Sequence, residues 1–281
     1  MTTDTRVVVL GASSGLGRTI ALGLARRGAR VAFLARRKER LDAAVAEAGT
    51  TAVAVTCDVT DETSCRDGIA ESAAALGGID ALVYATGILT VSPIEDVHAS
   101  TWARLFATNV TGAALATSAA LPFLTASRGA AVYLSSVSAS LTPPWPNIGA
   151  YVTSKAALDK LVEAWRAEHG HIRFTRLTVG DCAGGDGHSA SEFVNDADPT
   201  LITDAVNEWL RLGYMTGNLI DPDDLVDAVD TVVRCRSAIP TLTLTPTSSP
   251  STTQDDSKPV RISALDELVK AVQPQRGSPE S

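Results

Sequence analysis

Apolar residues along this chain come in two rhythms. Short unbroken runs such as Val7-Val8-Val9-Leu10 and Val31-Ala32-Phe33-Leu34 alternate with longer stretches of helical pattern, the first running through Ile20, Leu22 and Leu24. An uninterrupted apolar run suits a strand buried on both faces, as in a parallel sheet. The pattern predicts strands near 6–10, 30–35, 51–56, 80–84, 130–135, 172–178 and 241–245. Between them it predicts helices near 15–27, 38–48, 62–76, 97–125, 150–168 and 222–235. Asp221-Pro222-Asp223-Asp224 is a strong start for the last helix, with a cap, an early proline and acids in the first turn. Strand-helix alternation of this kind builds an α/β domain around a doubly wound parallel sheet, here of about seven strands.

Beyond Pro246 the rhythm stops. Thr247 to Lys258 is rich in Ser, Thr and Pro, and Ile262, Leu265, Leu268, Val269 and Val272 then recur at helical spacing. Residues 1–246 are therefore expected to form a single domain, and 247–281 a flexible linker followed by a short amphipathic helix. At 281 residues, 45% hydrophobic and 20% charged, the chain can bury a full core. No apolar run reaches about 18 residues and the first residues lack a basic, apolar leader, so neither a membrane span nor a signal peptide is expected. A net charge of −8 argues against nucleic acid as a partner and leaves small molecules. Cys57, Cys65, Cys182 and Cys235 have no metal or redox spacing, which fits reduced thiols in a cytoplasmic protein.

Two stretches carry candidate chemistry. The first strand runs into Gly11-Ala12-Ser13-Ser14-Gly15-Leu16-Gly17 and then a helix, a G-x-x-x-G-x-G turn. Glycines there let backbone approach a pyrophosphate at a helix N-terminus, the arrangement of a Rossmann-type nucleotide fold. The second stretch is Tyr151-Val-Thr-Ser-Lys155. Residues i and i+4 share a helix face, so a phenol stands beside an ammonium. A cation within about 4–6 Å lowers a phenol from its usual ~10, and such a tyrosine can give a proton to a carbonyl or take one from an alcohol. Either stretch alone could arise by chance.

Together, the glycine turn and Y-x-x-x-K about 140 residues later resemble the short-chain dehydrogenase/reductase family, over roughly residues 6 to 246. The resemblance implies an α/β enzyme that uses NAD(H) or NADP(H) to interconvert alcohols with ketones or aldehydes. By that resemblance Asp58 and Val59 contact the adenine, Gly87 lines the nucleotide site, and Asn109 holds a water in a proton relay. The catalytic serine follows the strand ending Tyr133-Leu134-Ser135-Ser136. Alignment of the strand selects Ser136, whereas the spacing to the tyrosine in many relatives selects Ser138. Ser136 is the assignment, since the loop from Ser140 to Asn147 can absorb two residues at little cost. In the implied mechanism Ser136 binds the carbonyl oxygen and Tyr151 exchanges the proton. Lys155 lowers the tyrosine and holds the nicotinamide ribose, and Asn109 orders the relay water.

Cofactor choice turns on the end of the second strand. Ala35 stands where an NAD enzyme usually carries a carboxylate, and Arg36 follows it, so NADP(H) is preferred with NAD(H) possible. The basic residue that many NADP-using relatives carry within the glycine turn is replaced by Ser13 and Ser14. Two further departures stand out: Tyr84-Ala85-Thr86-Gly87 in place of Asn-Asn-Ala-Gly, and Val179-Gly180 in place of Pro-Gly. Asp181, Cys182, Asp186 and His188 lie in a glycine-rich loop, and no metal site is expected there. The substrate pocket is expected between Pro143-Pro144-Trp145-Pro146 and the connection near 181–218, which carries Phe193, Trp209, Leu212, Tyr214 and Met215. Those side chains suit a small apolar alcohol or ketone, and the acids among them disfavour polyanions. The same aromatics could instead simply pack the connection onto the body. A non-catalytic NADP-binding sensor or interaction protein is the rival reading. Relatives that epimerise or dehydrate tend to use a G-x-x-G-x-x-G turn, which Gly11, Gly15 and Gly17 do not match. A homodimer or homotetramer is expected, because the long helices near 97–125 and 150–168 commonly pair in this family.

Overall fold

The computed structural model describes residues 4–182 and 198–247. The predicted tail helix and Asp186, His188 and Phe193 lie outside those residues. Seven strands form one parallel sheet: β1 Arg6–Leu10, β2 Arg30–Ala35, β3 Ala52–Thr56, β4 Ala81–Tyr84, β5 Ala130–Ser136, β6 Arg173–Val179 and β7 Thr241–Leu244. Their spatial order is β3-β2-β1-β4-β5-β6-β7. The unbroken apolar runs are explained by burial on both faces. Val7 and Val9 enter one core layer, Val8 and Leu10 the other.

Helices α1 (Gly15–Arg26), α2 (Lys38–Ala48) and α9 (Pro222–Arg234) cover the first face. Gly23 lets α1 and α9 approach closely, because a Cβ there would stand 2.5 Å from a Val226 methyl. Helix α9 begins as the sequence predicts, with the Asp221 side chain accepting from the Asp223 N–H and Pro222 in the first turn. The second face carries α3 (Glu62–Leu76), α4 (Ala99–Phe106), α5 (Gly112–Ser127) and α7 (Gly149–Glu168). The single helix expected near 97–125 is interrupted by a π-helical turn at Ala107–Thr111, between α4 and α5. The whole stretch Ala99–Ser127 is long and apolar enough to cross a membrane by length and composition. Here Ala113, Ala116, Ala120 and Leu124 press it onto the body.

Two helices depart from the sequence reading. A short α6 (Val137–Ser140) leaves β5, and α8 (Pro199–Arg211) occupies the connection that the apolar pattern leaves unassigned. Asp198 caps α8 through the Thr200 N–H at 2.9 Å, with Pro199 in the first turn. Ile202, Ala205, Val206 and Trp209 form its buried stripe at helical spacing and pack on Tyr151, Val152 and Trp145. The aromatic residues of this region contact one another. Trp145 lies 5.1 Å from Trp209 and 5.9 Å from Tyr214 between ring centres, and Trp209 donates to the Pro146 carbonyl at 2.8 Å.

Candidate active site

Strand order reverses between β1 and β4, and a crevice opens at the carboxyl end of the sheet at such a point. Gly11 follows β1 there with φ +86°, and a Cβ on it would stand 2.9 Å from the Thr86 nitrogen. Gly17 sits under the same turn, where a Cβ would overlap the Gly11 carbonyl. Gly15 opens α1 with φ +54°. These three glycines thus allow the β1–α1 turn to fold tightly against the loop after β4. Leu16 packs on the core, and Ser14 at the N-cap of α1 makes no side-chain capping bond. Backbone N–H groups at such a helix start suit a pyrophosphate. Thr86 adds a buried hydroxyl without a protein partner beside the turn. Among the described residues, the set therefore fits a dinucleotide.

At the end of β2, Arg37, which no sequence pattern singles out, donates from Nη2 to both Ser13 Oγ and Ser14 Oγ at 2.9 Å. A guanidinium from the end of β2 thereby occupies the place that lacks a basic residue in the turn itself. Arg36 acts on Asp58. Burial would raise the Asp58 carboxyl, but hydrogen bonds from the Thr60 N–H and hydroxyl, together with Arg36, hold it below its ordinary value. Both Thr60 bonds end on Asp58 Oδ1, at 2.9 and 2.7 Å. Val59 is buried beneath, next to Cys57 and Cys65. The Cys65 thiol donates to the Val59 carbonyl at 3.6 Å, and the neighbouring Cys57 together with burial raises it.

The segment after β4 connects the turn to Lys155 and Asn109. A Cβ on Gly87 would lie 3.3 Å from Lys155 Nζ and 3.6 Å from Asn109 Oδ1, so these three residues meet. Asn109, in the π-helical turn, accepts from the Ile88 N–H at 2.9 Å and donates to the Ile88 carbonyl and Ser154 Oγ at 3.0 and 2.9 Å. Both amide donors are spent on protein, and one Oδ1 lone pair is left for a further partner. Tyr84, where the family has an asparagine, is fully buried and donates to the Thr108 carbonyl at 2.5 Å. It braces β4 against the π turn by a different group.

Ser136 ends β5 and Tyr151 lies in the first turn of α7. The Ser136 hydroxyl acts on the buried phenol and favours its ionised form. Ser138 stands behind Ser136, oxygen to oxygen 2.9 Å, and is 2% exposed. Of the two serines, Ser136 at the strand end is the one that acts on the phenol. Lys155 is buried, donates to the Leu134 carbonyl at 2.8 Å, and holds its Nζ 5.9 Å from the centre of the Tyr151 ring.

One electrostatic expectation is corrected. Burial pushes the Tyr151 phenol above its ordinary value, and Ser136, not Lys155, is the group that pulls it back. The ammonium is anchored on Leu134 and is itself pushed down to about 8 by burial, against the opposing pull of Asp159. The sequence pattern contains both residues but not the dry environment that weakens both charged forms. At the end of β6, burial pushes the Asp181 carboxyl up to about 7, while its backbone carbonyl accepts from the Ile220 N–H at 2.7 Å.

Residues 5–186 match the family model for short chain dehydrogenase. A Sesamum indicum protein named 11-beta-hydroxysteroid dehydrogenase A is 35% identical over 216 residues, 73% of this chain and 62% of that protein. A Xanthobacter autotrophicus protein named inactive 2-(S)-hydroxypropyl-CoM dehydrogenase 2 is 33% identical over 220 residues, 77% of this chain and 92% of that protein. A solved short-chain dehydrogenase from Streptomyces avermitilis superposes with a TM-score of 0.74 at 28% identity, covering 86% of this chain and 88% of that one.

Proposed function

Since this chain belongs to the short-chain dehydrogenase family, we propose that it is an NADP(H)-dependent oxidoreductase interconverting a small apolar ketone or aldehyde with its alcohol. The observation that carries this reading is the hydroxyl pair of Ser136 and Tyr151 with Lys155 beside them, joined through Gly87 and Thr86 to the glycine turn. When bound, the nicotinamide supplies or accepts the hydride.

Residues of the chain do the rest. Ser136 fixes the substrate oxygen by a hydrogen bond and aligns it with the Tyr151 hydroxyl. Tyr151 Oη gives its proton to that oxygen in reduction and takes one in oxidation. Its burial keeps the phenol protonated at neutral pH, which suits the reductive direction. Lys155 supplies positive charge close to the ring and replaces the spent proton, with Asn109 ordering water toward solvent. Arg37 on Ser13 and Ser14, with Arg36 nearby, supports recognition of the adenosine phosphate that distinguishes NADP(H) from NAD(H).

The apolar wall of Val91, Val137, Trp145, Ile202 and Val206 around Tyr151 supports an apolar substrate. The sesame relative, named for a hydroxysteroid, agrees with that class. The apolar character of Ala99–Ser127, only a third of it buried, supports pairing into a homodimer or homotetramer, and the thiols suit a reducing cytoplasm. The test is a screen of apolar ketones and aldehydes with NADPH, followed by its absorbance. Consumption in the wild type but not in Tyr151→Phe supports the reading. NADPH binding without consumption of any substrate would favour the sensor reading, toward which the relative named inactive also points.

A further inference from the structure

Lys155 is 4% exposed, and burial of an ammonium is costly unless a countercharge is close. Its hydrogen bond runs to the Leu134 carbonyl, a neutral acceptor. One helical turn further along α7 is Asp159, 5% exposed and thus as dry as the lysine. Asp159 Oδ2 lies 3.3 Å from Nη1 of Arg176, which projects from β6 at the position paired with Tyr133 of β5. Carboxylate and guanidinium therefore sit between α7 and the β5–β6 pair, next to the residue whose carbonyl holds Lys155. We propose that Asp159, paired with Arg176, is a positioning residue that keeps Lys155 cationic for the proton exchange at Tyr151.

The proposal rests on the oxidoreductase reading for its catalytic consequence, but its electrostatic core stands apart from it. Each packed element contributes to the balance. Burial raises the Asp159 carboxyl above its ordinary value, and against it β5 supplies Ser135, β6 supplies Arg176, α7 supplies Lys155 and α6 supplies Ser140, each favouring the carboxylate. Around Lys155, α7 supplies Tyr151 and Asp159, the π turn supplies Asn109, and β5 supplies the Leu134 carbonyl. The Asp159 charge acts on both members of the pair. It favours the ammonium of Lys155 and opposes ionisation of Tyr151, so one carboxylate keeps phenol and amine protonated together. The Asp159–Arg176 pair is partly buried, and such a pair is weak evidence of stabilisation by itself. A role in setting the charge of Lys155 gives this one a reason.

The test is the titration of Lys155 by the 13Cε shifts of protein labelled in its five lysines, Lys38, Lys155, Lys160, Lys258 and Lys270. The Lys155 signal is assigned by its loss in Lys155→Met. In Asp159→Asn the Lys155 midpoint should fall by about one pH unit, and in Asp159→Glu it should return close to the wild type. The alkaline limb of kcat for ketone reduction should move to lower pH by the same interval in Asp159→Asn. An unmoved midpoint overturns the proposal, and a midpoint that moves while the limb stays overturns its catalytic part. If Asp159→Asn leaves Arg176 uncompensated and fails to fold, the pair Asp159→Asn with Arg176→Gln removes both charges, and the same downward shift is expected. A wild type that reduces no ketone or aldehyde would sink the oxidoreductase reading, while the Lys155 midpoint would still decide the electrostatic one.

Discussion

The Tyr84 hydroxyl donates to the Thr108 carbonyl at 2.5 Å and ties the end of β4 to the turn that carries Asn109. Gly112 makes the contact possible, because a Cβ there would stand 2.7 Å from the Tyr84 oxygen. A strand that usually ends in asparagine thus keeps its brace by using a longer side chain and a missing one. Tyr84→Phe removes this buried bond and should cost about 0.5–1.5 kcal/mol. A thermal melt would read the loss. Turnover should fall as well, since Asn109 and Lys155 share the space beside Gly87. A variant as stable and active as the wild type would show that this bond braces nothing.

Tyr151→Phe removes the transferable proton and keeps the ring. Turnover should drop by at least ~100-fold, the usual contribution of a positioned acid or base. NADPH affinity should change little, measured by quenching of protein fluorescence. Most of the activity surviving would take the proton-transfer role from Tyr151.

Arg37→Ala should raise the Kd for NADPH by about tenfold or more and leave NADH nearly unchanged, since one charge-assisted bond is worth about 1.5–3 kcal/mol. Arg36→Ala should act in the same direction. Titration of both cofactors against each variant measures the ratio. Equal weakening of the two cofactors would mean that the arginines shape the turn instead of reading the phosphate.

In the proposed mechanism, reduction requires Tyr151 protonated and Lys155 charged. The phenol is held above its ordinary value, so the limiting group on the alkaline side is Lys155, at about 8. The rate of reduction should be level on the neutral side and decline as pH rises through that value. Stability has the opposite slope. Between about 8 and 10.5 the folded state holds fewer protons on Lys155 than the unfolded chain, so this group's destabilising effect, full on the acid side, is relieved as pH rises through that window. Lys155→Met should consequently abolish turnover and raise Tm at pH 7, a gain that fades toward pH 10. A lower Tm at pH 7 would show that the ammonium stabilises the fold.

Much of this architecture is readable from residue order, and the exceptions share a cause. The seven strands stand out because Val7 to Leu10 and its counterparts are buried on both faces and need no polar positions. Ser136 is proposed from its place at a strand end, which geometry fixes, while the loop to Tyr151 is free to vary in length. Helix α8 carries legible signals, an Asp198-Pro199 start and the spacing of Ile202, Ala205, Val206 and Trp209, but the glycine-rich stretch before it hides them. Arg37, Tyr84 and Asp159 act through residues distant in sequence. Their partners Ser13, Thr108 and Arg176 become neighbours only when the sheet is assembled, and no local pattern announces them.

Cys57 and Cys65 lie 1% exposed under the Asp58-Val59 corner, whereas Cys182 and Cys235 are partly open. A thiol reagent can therefore reach the first pair only when the corner at the end of β3 breathes. Their alkylation rate becomes a clock for that opening, and any molecule that seats its adenine on Asp58 should slow the clock without touching either sulfur.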